Sequence, residues 1–239
     1  MRRVLALALA VGCALGARAS SLQISPVMVE LLPGQNASAM TLRNPGKEPI
    51  YGQVRVFRWD QAPDDDKLEA SEDLVASPPL IRIEPQGEQL VRLVRRDGSA
   101  VTDERSYRVL VDEVPNLDAT PGNGVNIRLR YSVPVFIEPA GPPAPPRLSW
   151  ELRRDGAQWQ LRVSNAGGRR AQLAAVQLIG ADGTAHEINR GLLGYVLAGR
   201  TRQWTIALDE NLAARGPLKL RANLNAQPIE TELGVPARP

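Results

Sequence analysis

Hydrophobic residues recur at every second position along much of this 239-residue chain, and no long stretch carries the period of an amphipathic helix. A period of two sends side chains alternately to opposite faces of an extended strand, so the pattern restricts the chain to sheets with a buried face. The 20 prolines and 20 glycines supply frequent turns between the strands. With 43% hydrophobic and 23% charged residues, a packed core is feasible and wholesale disorder is disfavoured. The fold class expected is all-β.

In the first half, Leu22 to Leu31 reads as a strand broken at Pro26, which has no N–H to give a ladder. Further strands are expected at Ser38–Asn44, Ile50–Trp59, Leu80–Ile83, Leu90–Val94, Ser106–Val114 and Val125–Ile137, about seven in all, the number of a sandwich. Ile50–Trp59 changes face between Val54/Val56 and Phe57/Trp59, which suggests a bulge. Asp60–Asp66 and Asn116–Asn123 read as polar loops. Ala140–Pro146 (AGPPAPP) has the composition of a semi-rigid polyproline II linker. Beyond it the pattern restarts at Leu148–Leu152, Trp159–Val163, Ala171–Leu178, Gly194–Leu197, Gln203–Leu208 and Leu218–Ala222. Two β-sandwich domains, residues 20–139 and 147–239, joined by a linker at 140–146, follow from this spacing.

The N-terminus reads as an export signal over residues 1–19. Arg2 and Arg3 precede an apolar run from Val4 to Leu15, and Ala17-Arg18-Ala19 fits a cleavage site. The run is shorter than the roughly 17–25 residues of a membrane span. Cys13 lacks the leucine three positions upstream that a lipidation site carries. Removing residues 1–19 takes away three arginines, leaving 29 − 3 = 26 basic against 26 acidic residues. A neutral mature chain lacks the electrostatic footprint of a nucleic-acid binder, so no nucleic-acid partner is expected. Cleavage also removes the only cysteine and leaves one histidine, His186. Cys/His zinc sites, thiol nucleophiles and disulfides are thereby excluded by count.

Enzyme signatures are missing as well. There is no G-x-S-x-G, P-loop or H-E-x-x-H motif, and His186 reads as a strand or turn residue. Asp64-Asp65-Asp66 lacks the ligand spacing of a calcium loop and reads as solvated. Asn36-Ala-Ser38 matches a glycosylation sequon but reads as strand-edge polarity. No catalytic residue, metal or cofactor is expected.

One strand stands apart. From Val125 to Val135, Val125, Ile127, Leu129, Tyr131 and Val133 share one face, with Asn126, Arg128, Arg130, Ser132 and Pro134 on the other. Either the apolar row lies in the core of its own domain, or the strand is an open edge that offers the row to a partner.

Three stretches resemble the periplasmic pilus-assembly chaperones of the chaperone–usher family: Pro78–Pro85 with Gln89–Leu93, Tyr107–Pro115, and Val125–Pro139. Gly194–Gly199 and Trp204 are similar to the second domain of the archaic branch of that family. The resemblance implies two immunoglobulin-like domains in a boomerang, located in the periplasm, with pilus subunits and an outer-membrane usher as partners. It implies that Val125, Ile127, Leu129 and Tyr131 fill the groove that an incomplete subunit sandwich exposes. Self-association of the free protein, shielding the same edge, is a further implication. The rival reading is an exported two-domain adhesin or structural pilus component, but a pilin lacks one strand and here the strand set is complete.

Two departures qualify the resemblance. Familiar members anchor the subunit's terminal carboxylate with an arginine and a lysine, and Pro26 and Pro134 stand at those positions here. Arg108 is the expected substitute, with Arg82, Arg128 and Arg130 as rivals. At the hinge, Glu113 matches the family's glutamate while Glu138 occupies its arginine position, so the interdomain ion pair is expected to be absent or rebuilt with other basic residues.

Overall fold

The computed structural model describes residues 22–115, 128–142, 144–156, 158–208 and 216–233. The export signal, the loop at Asn116–Asn123, and Val125 and Ile127 lie outside those residues. Among the described residues every regular element is a strand.

Ten strands of the described residues precede the proline-rich segment: β1 (Gln23–Ser25), β2 (Val29–Leu31), β3 (Ala37–Arg43), β4 (Ile50–Gln61), β5 (Asp66–Ala70), β6 (Leu74–Ser77), β7 (Leu80–Ile83), β8 (Glu88–Arg95), β9 (Arg105–Val114) and β10 (Arg130–Ile137). They form two facing sheets, one ordered β1-β3-β8-β6 and the other β2-β10-β9-β4-β5, with β7 pairing the start of β4. The break at Pro26 transfers the chain between layers: β1 pairs with β3 in the first sheet and β2 with β10 in the second. Alternate residues of both sheets, including Leu31, Met40, Leu42, Val54, Val91, Leu93, Val109, Val111, Val133 and Val135, build one buried core.

Two expectations need correction. β4 has no bulge, because its register with β9 runs without a shift from Tyr51 to Arg58. Its two sets of apolar residues serve different interiors: Val54 and Val56 face the sandwich core, while Trp59 points the other way into a second cluster. Asp60–Asp66 is not a free loop either. Asp60 and Gln61 end β4, Asp66 starts β5, and a tight turn joins them, with Ala62 N–H donating to Asp65 O at 2.9 Å.

The remaining strands are β11 (Leu148–Asp155), β12 (Gln158–Asn165), β13 (Ala171–Ile179), β14 (Ala185–Val196), β15 (Thr201–Ile206), β16 (Leu218–Leu224) and β17 (Gln227–Leu233). They form a β11-β12-β15 sheet packed on a β14-β13-β16-β17 sheet, with a separate core around Leu152, Leu161, Val163, Leu173, Leu178 and Leu220. Among the described residues no ladder joins these sheets to the first pair. The connecting segment is seated on the second sandwich: Ala166 N–H donates to Arg147 O at 2.8 Å, and a Cβ on Gly167 would fall 2.1 Å from Pro145 O. Only glycine permits that approach.

The sandwiches meet around a small aromatic cluster. Trp59 and Phe136 from the first pack against Tyr195 and Leu197 from the second, with ring centroids 5.6–6.0 Å apart. Gln61 ties the backbones across this junction, donating to Tyr195 O at 3.1 Å and accepting from Leu197 N–H at 2.9 Å. The β4–β5 turn also clips onto β15, where Gln203 N–H donates to Pro63 O at 2.8 Å.

Candidate functional site

The two halves of β10 have different neighbours. Val135 to Ile137 lie between β2, which runs parallel, and β9, which runs antiparallel. From Arg130 to Pro134 the ladder with β9 is the only one among the described strands. Glu113 N–H donates to Leu129 O at 3.1 Å, which fixes the alternation of the antiparallel pair. Odd residues of β10 bond towards β9, so the N–H and C=O groups of Arg130 and Ser132 point to an edge that no described strand pairs. Pro134 faces the same way, where its missing N–H costs no existing bond.

The apolar row is divided along the same strand. Val133, Val135 and Ile137 are buried in the first domain's own core. Tyr131 is half-buried against that core, its hydroxyl enclosed. Burial, with the Glu113 carboxylate nearby, pushes the Tyr131 hydroxyl pKa up. Leu129, one step further out, is 37% exposed beside the open edge. The own-core reading describes the strand from Val133 onward, and at Leu129 the row reaches solvent.

The opposite face of the β10-β9-β4 sheet turns towards the second domain and carries Arg108. Arg108 is the direct cross-strand partner of Pro134. Its guanidinium lies 3.7 Å from the Trp59 ring centroid and 5.6 Å from that of Tyr195, with the side chain 15% exposed. Burial lowers its pKa, against the opposing pull of Asp66. Asp66 approaches only to 3.8 Å, and Arg108 makes no side-chain hydrogen bond to any described residue. A part-desolvated guanidinium thus keeps its fork of donors unspent. The rivals are placed otherwise. Arg82 pairs with Glu84 at 2.8 Å, Arg130 pairs with Asp112, and Arg128 is exposed. Arg55 also holds Asp112, at 2.6 Å.

The hinge ion pair is rebuilt, with the polarity of the family pattern reversed. Glu138 accepts from Arg170 at 2.7 Å and pairs with Arg169 at 2.7 Å. Arg170 also contacts Glu104 and Glu30, and its guanidinium lies 3.9 Å from the Phe136 ring centroid. Burial lowers the Arg170 pKa to about 10. Burial, with Glu138 adjacent, raises the Glu104 carboxyl to about 7. Glu113 does not join this cluster: one of its carboxyl oxygens is buried without a partner, and burial pushes its pKa up. Sequence reasoning identified Glu138 but missed Glu30, Glu104, Arg169 and Arg170. The consecutive arginines behind Gly167-Gly168 were the available signal.

Comparison with known proteins agrees with this geometry. The profile of the pili and flagellar-assembly chaperones, PapD N-terminal domain, matches residues 21–143. The chain therefore belongs to that family, and its function is that of a pilus-assembly chaperone rather than a structural pilus component. Among solved structures it is similar to one from a complex of CsuC with CsuE, a chaperone and tip adhesion subunit of the archaic chaperone–usher Csu pili of Acinetobacter baumannii. Identity is 24% and the TM-score 0.69, covering 90% of this chain and 98% of the other. A structure of the Salmonella enterica SafA pilin with the SafB chaperone aligns at 21% identity and TM-score 0.61, covering 90% and 98%. The E. coli chaperone DraB aligns at 19% and 0.60, covering 90% and 99%. A search of curated proteins finds no significant match.

Proposed function

We propose that this chain is a periplasmic chaperone of the archaic chaperone–usher branch. It completes the sandwich of a pilus subunit with its own strand and delivers the subunit to an outer-membrane usher. The observation that carries the reading is the unpaired backbone of Arg130 and Ser132 beside an apolar row that emerges into solvent at Leu129. Val125, Ile127, Leu129 and Tyr131 are the groove-filling side chains. Each aliphatic one contributes about 1.5–3 kcal/mol on leaving water. Each ladder bond adds roughly 0.5–1.5 kcal/mol net. Main-chain bonds make few demands on the partner's sequence, so one edge serves several subunits, with selectivity set by the pockets that receive alternate side chains.

Arg108 anchors the subunit's terminal carboxylate. It is opposite Pro134 on the adjacent strand, it is cushioned on Trp59, and no described residue takes a hydrogen bond from its donors. The chain divides into a removable signal at residues 1–19, a subunit-binding domain at 20–139, a linker at 140–146 and a second sandwich at 147–239. No helix among the described residues is long and apolar enough to cross a membrane. No catalytic chemistry belongs to this role, because the energy for handing on the subunit is held in the subunit's own incomplete fold. Before capture, self-association covers the edge.

The test is affinity capture of the tagged mature chain from its native periplasm, with mass spectrometry of the eluate. The expected result is a small exported β-rich protein at equal stoichiometry, lost with Ile127→Asp while circular dichroism stays native. Undiminished capture by Ile127→Asp, or recovery of the chain alone while pilus genes are expressed, contradicts the proposal.

A further inference from the structure

Beside Arg108, between the two sandwiches, lies a pocket of about 240 Å³ whose walls include Trp59, Tyr195, Trp204 and Leu193. Two guanidiniums reach it, Arg108 from β9 and Arg202 from β15, each on a side chain 15% exposed. The Asp66 carboxylate lies between them, one oxygen 3.8 Å from Arg108 and the other 3.9 Å from Arg202. Both separations exceed a hydrogen bond, so Asp66 balances the charges without consuming their donors.

We propose that Asp66 is a resident placeholder, occupying between Arg108 and Arg202 the position that a captured subunit's terminal carboxylate takes, so that the anchor is a two-arginine site shared by both domains. This rests on Arg108 being the subunit anchor. Asp66 is suited to leave. It is the first residue after the β4–β5 turn, it is a third exposed, and its side chain is held by a single hydrogen bond, from Gln61 at 3.2 Å. The Gln61 amide has another acceptor in Tyr195 O, so it is not orphaned when Asp66 swings out. Arg202 is already oriented by a 3.0 Å bond to Ala62 O. An incoming carboxylate that closes to about 2.7–2.9 Å on the free donors gains charge-assisted bonds that Asp66 does not make. The indole and phenol walls would then receive the apolar side chain of the terminal residue. In the free protein, Asp66 keeps two like charges in a poorly hydrated cleft from repelling each other and screens the site against stray anions.

The test uses the full mature chain and two probes, N-acetyl-leucyl-leucine and its C-terminal amide. Each is titrated by NMR while the side-chain Nε–H signals of Arg108 and Arg202 are followed. The acid should bind in preference to the amide. Asp66→Asn should tighten the acid about fivefold, equivalent to ~1 kcal/mol, and leave the amide unchanged. Arg202→Gln should weaken the acid about fivefold, with Arg202→Lys recovering part of the loss and controlling for misfolding. If Arg108→Gln abolishes acid binding but either the Asp66 or the Arg202 variant has no effect, the placeholder is overturned and the Arg108 anchor stands. If acid and amide are indistinguishable in both wild type and Asp66→Asn, the Arg108 anchor itself fails.

Discussion

Arg108 and Arg170 are chemically alike and differently used. Both are largely buried near the junction of the sandwiches, both lie within 4 Å of an aromatic ring centroid, and burial lowers the pKa of both. Arg170 is saturated: Glu30, Glu104 and Glu138 surround its guanidinium, and its backbone N–H donates to Glu104 at 2.8 Å. Among the described residues Arg108 has a single acidic neighbour, at 3.8 Å, and spends no side-chain donor. A guanidinium that fixes a domain junction uses its fork within the fold, whereas one that awaits a ligand carries its desolvation cost without the matching bonds. The unspent arginine is the one beside the open strand.

The strongest way to break this comparison is to remove each side chain. Arg170→Met leaves the buried carboxylates of Glu104 and Glu138 with Arg169 alone and should lower the unfolding free energy by about 3–5 kcal/mol in urea denaturation. Arg108→Gln removes no hydrogen bond within the described fold and should change it by less than about 1 kcal/mol, while subunit capture falls. Equal losses of stability would mean that both arginines are structural.

The pH dependence sharpens the same contrast. Three carboxylates share two guanidiniums at the hinge, and burial raises the Glu104 carboxyl from 4.5 to about 7. Between those values the folded chain holds a proton that the unfolded chain has released. This contribution to stability is therefore complete below about pH 4.5 and lost as the pH rises through about 7. Stability should fall by about 2 kcal/mol from roughly pH 5 to pH 7.5, and Glu104→Gln should flatten that slope in denaturation curves taken across the range. An unchanged slope would mean that Glu104 is not the group taking up the proton.

The sheets were legible in the sequence wherever a strand has one buried face and one wet face. Val91 and Leu93 in β8, or Met40 and Leu42 in β3, alternate as a sandwich requires and lie in the core. Alternation misled where both faces are covered. Phe57 and Trp59 suggested a bulge because β4 serves the sandwich core on one side and the domain junction on the other. It was silent for the Ala185–Leu193 part of β14, which has no fully buried residue to mark a face, and for β17, whose fully buried residue is Leu233 alone. The hinge was half legible. Glu138 was conspicuous as an acid in a basic position, but its partners are set by tertiary proximity, and Glu30 lies 140 residues from Arg170. The free donors of Arg108 belong to three-dimensional packing, since they depend on Trp59, Tyr195 and Asp66 meeting around one side chain.

The central claim is that the outer half of β10 is a strand kept open for a partner, and amide hydrogen exchange at Arg130 and Ser132 tests it most directly. In the free monomer both amides should exchange quickly, while those of Tyr131 and Val133, bonded towards β9, are protected. In the complex recovered from the periplasm, Arg130 and Ser132 should slow by about 100-fold or more as a subunit strand takes up the edge. Unchanged exchange at these two amides in a stoichiometric complex would contradict the account and move the binding surface elsewhere on the chaperone.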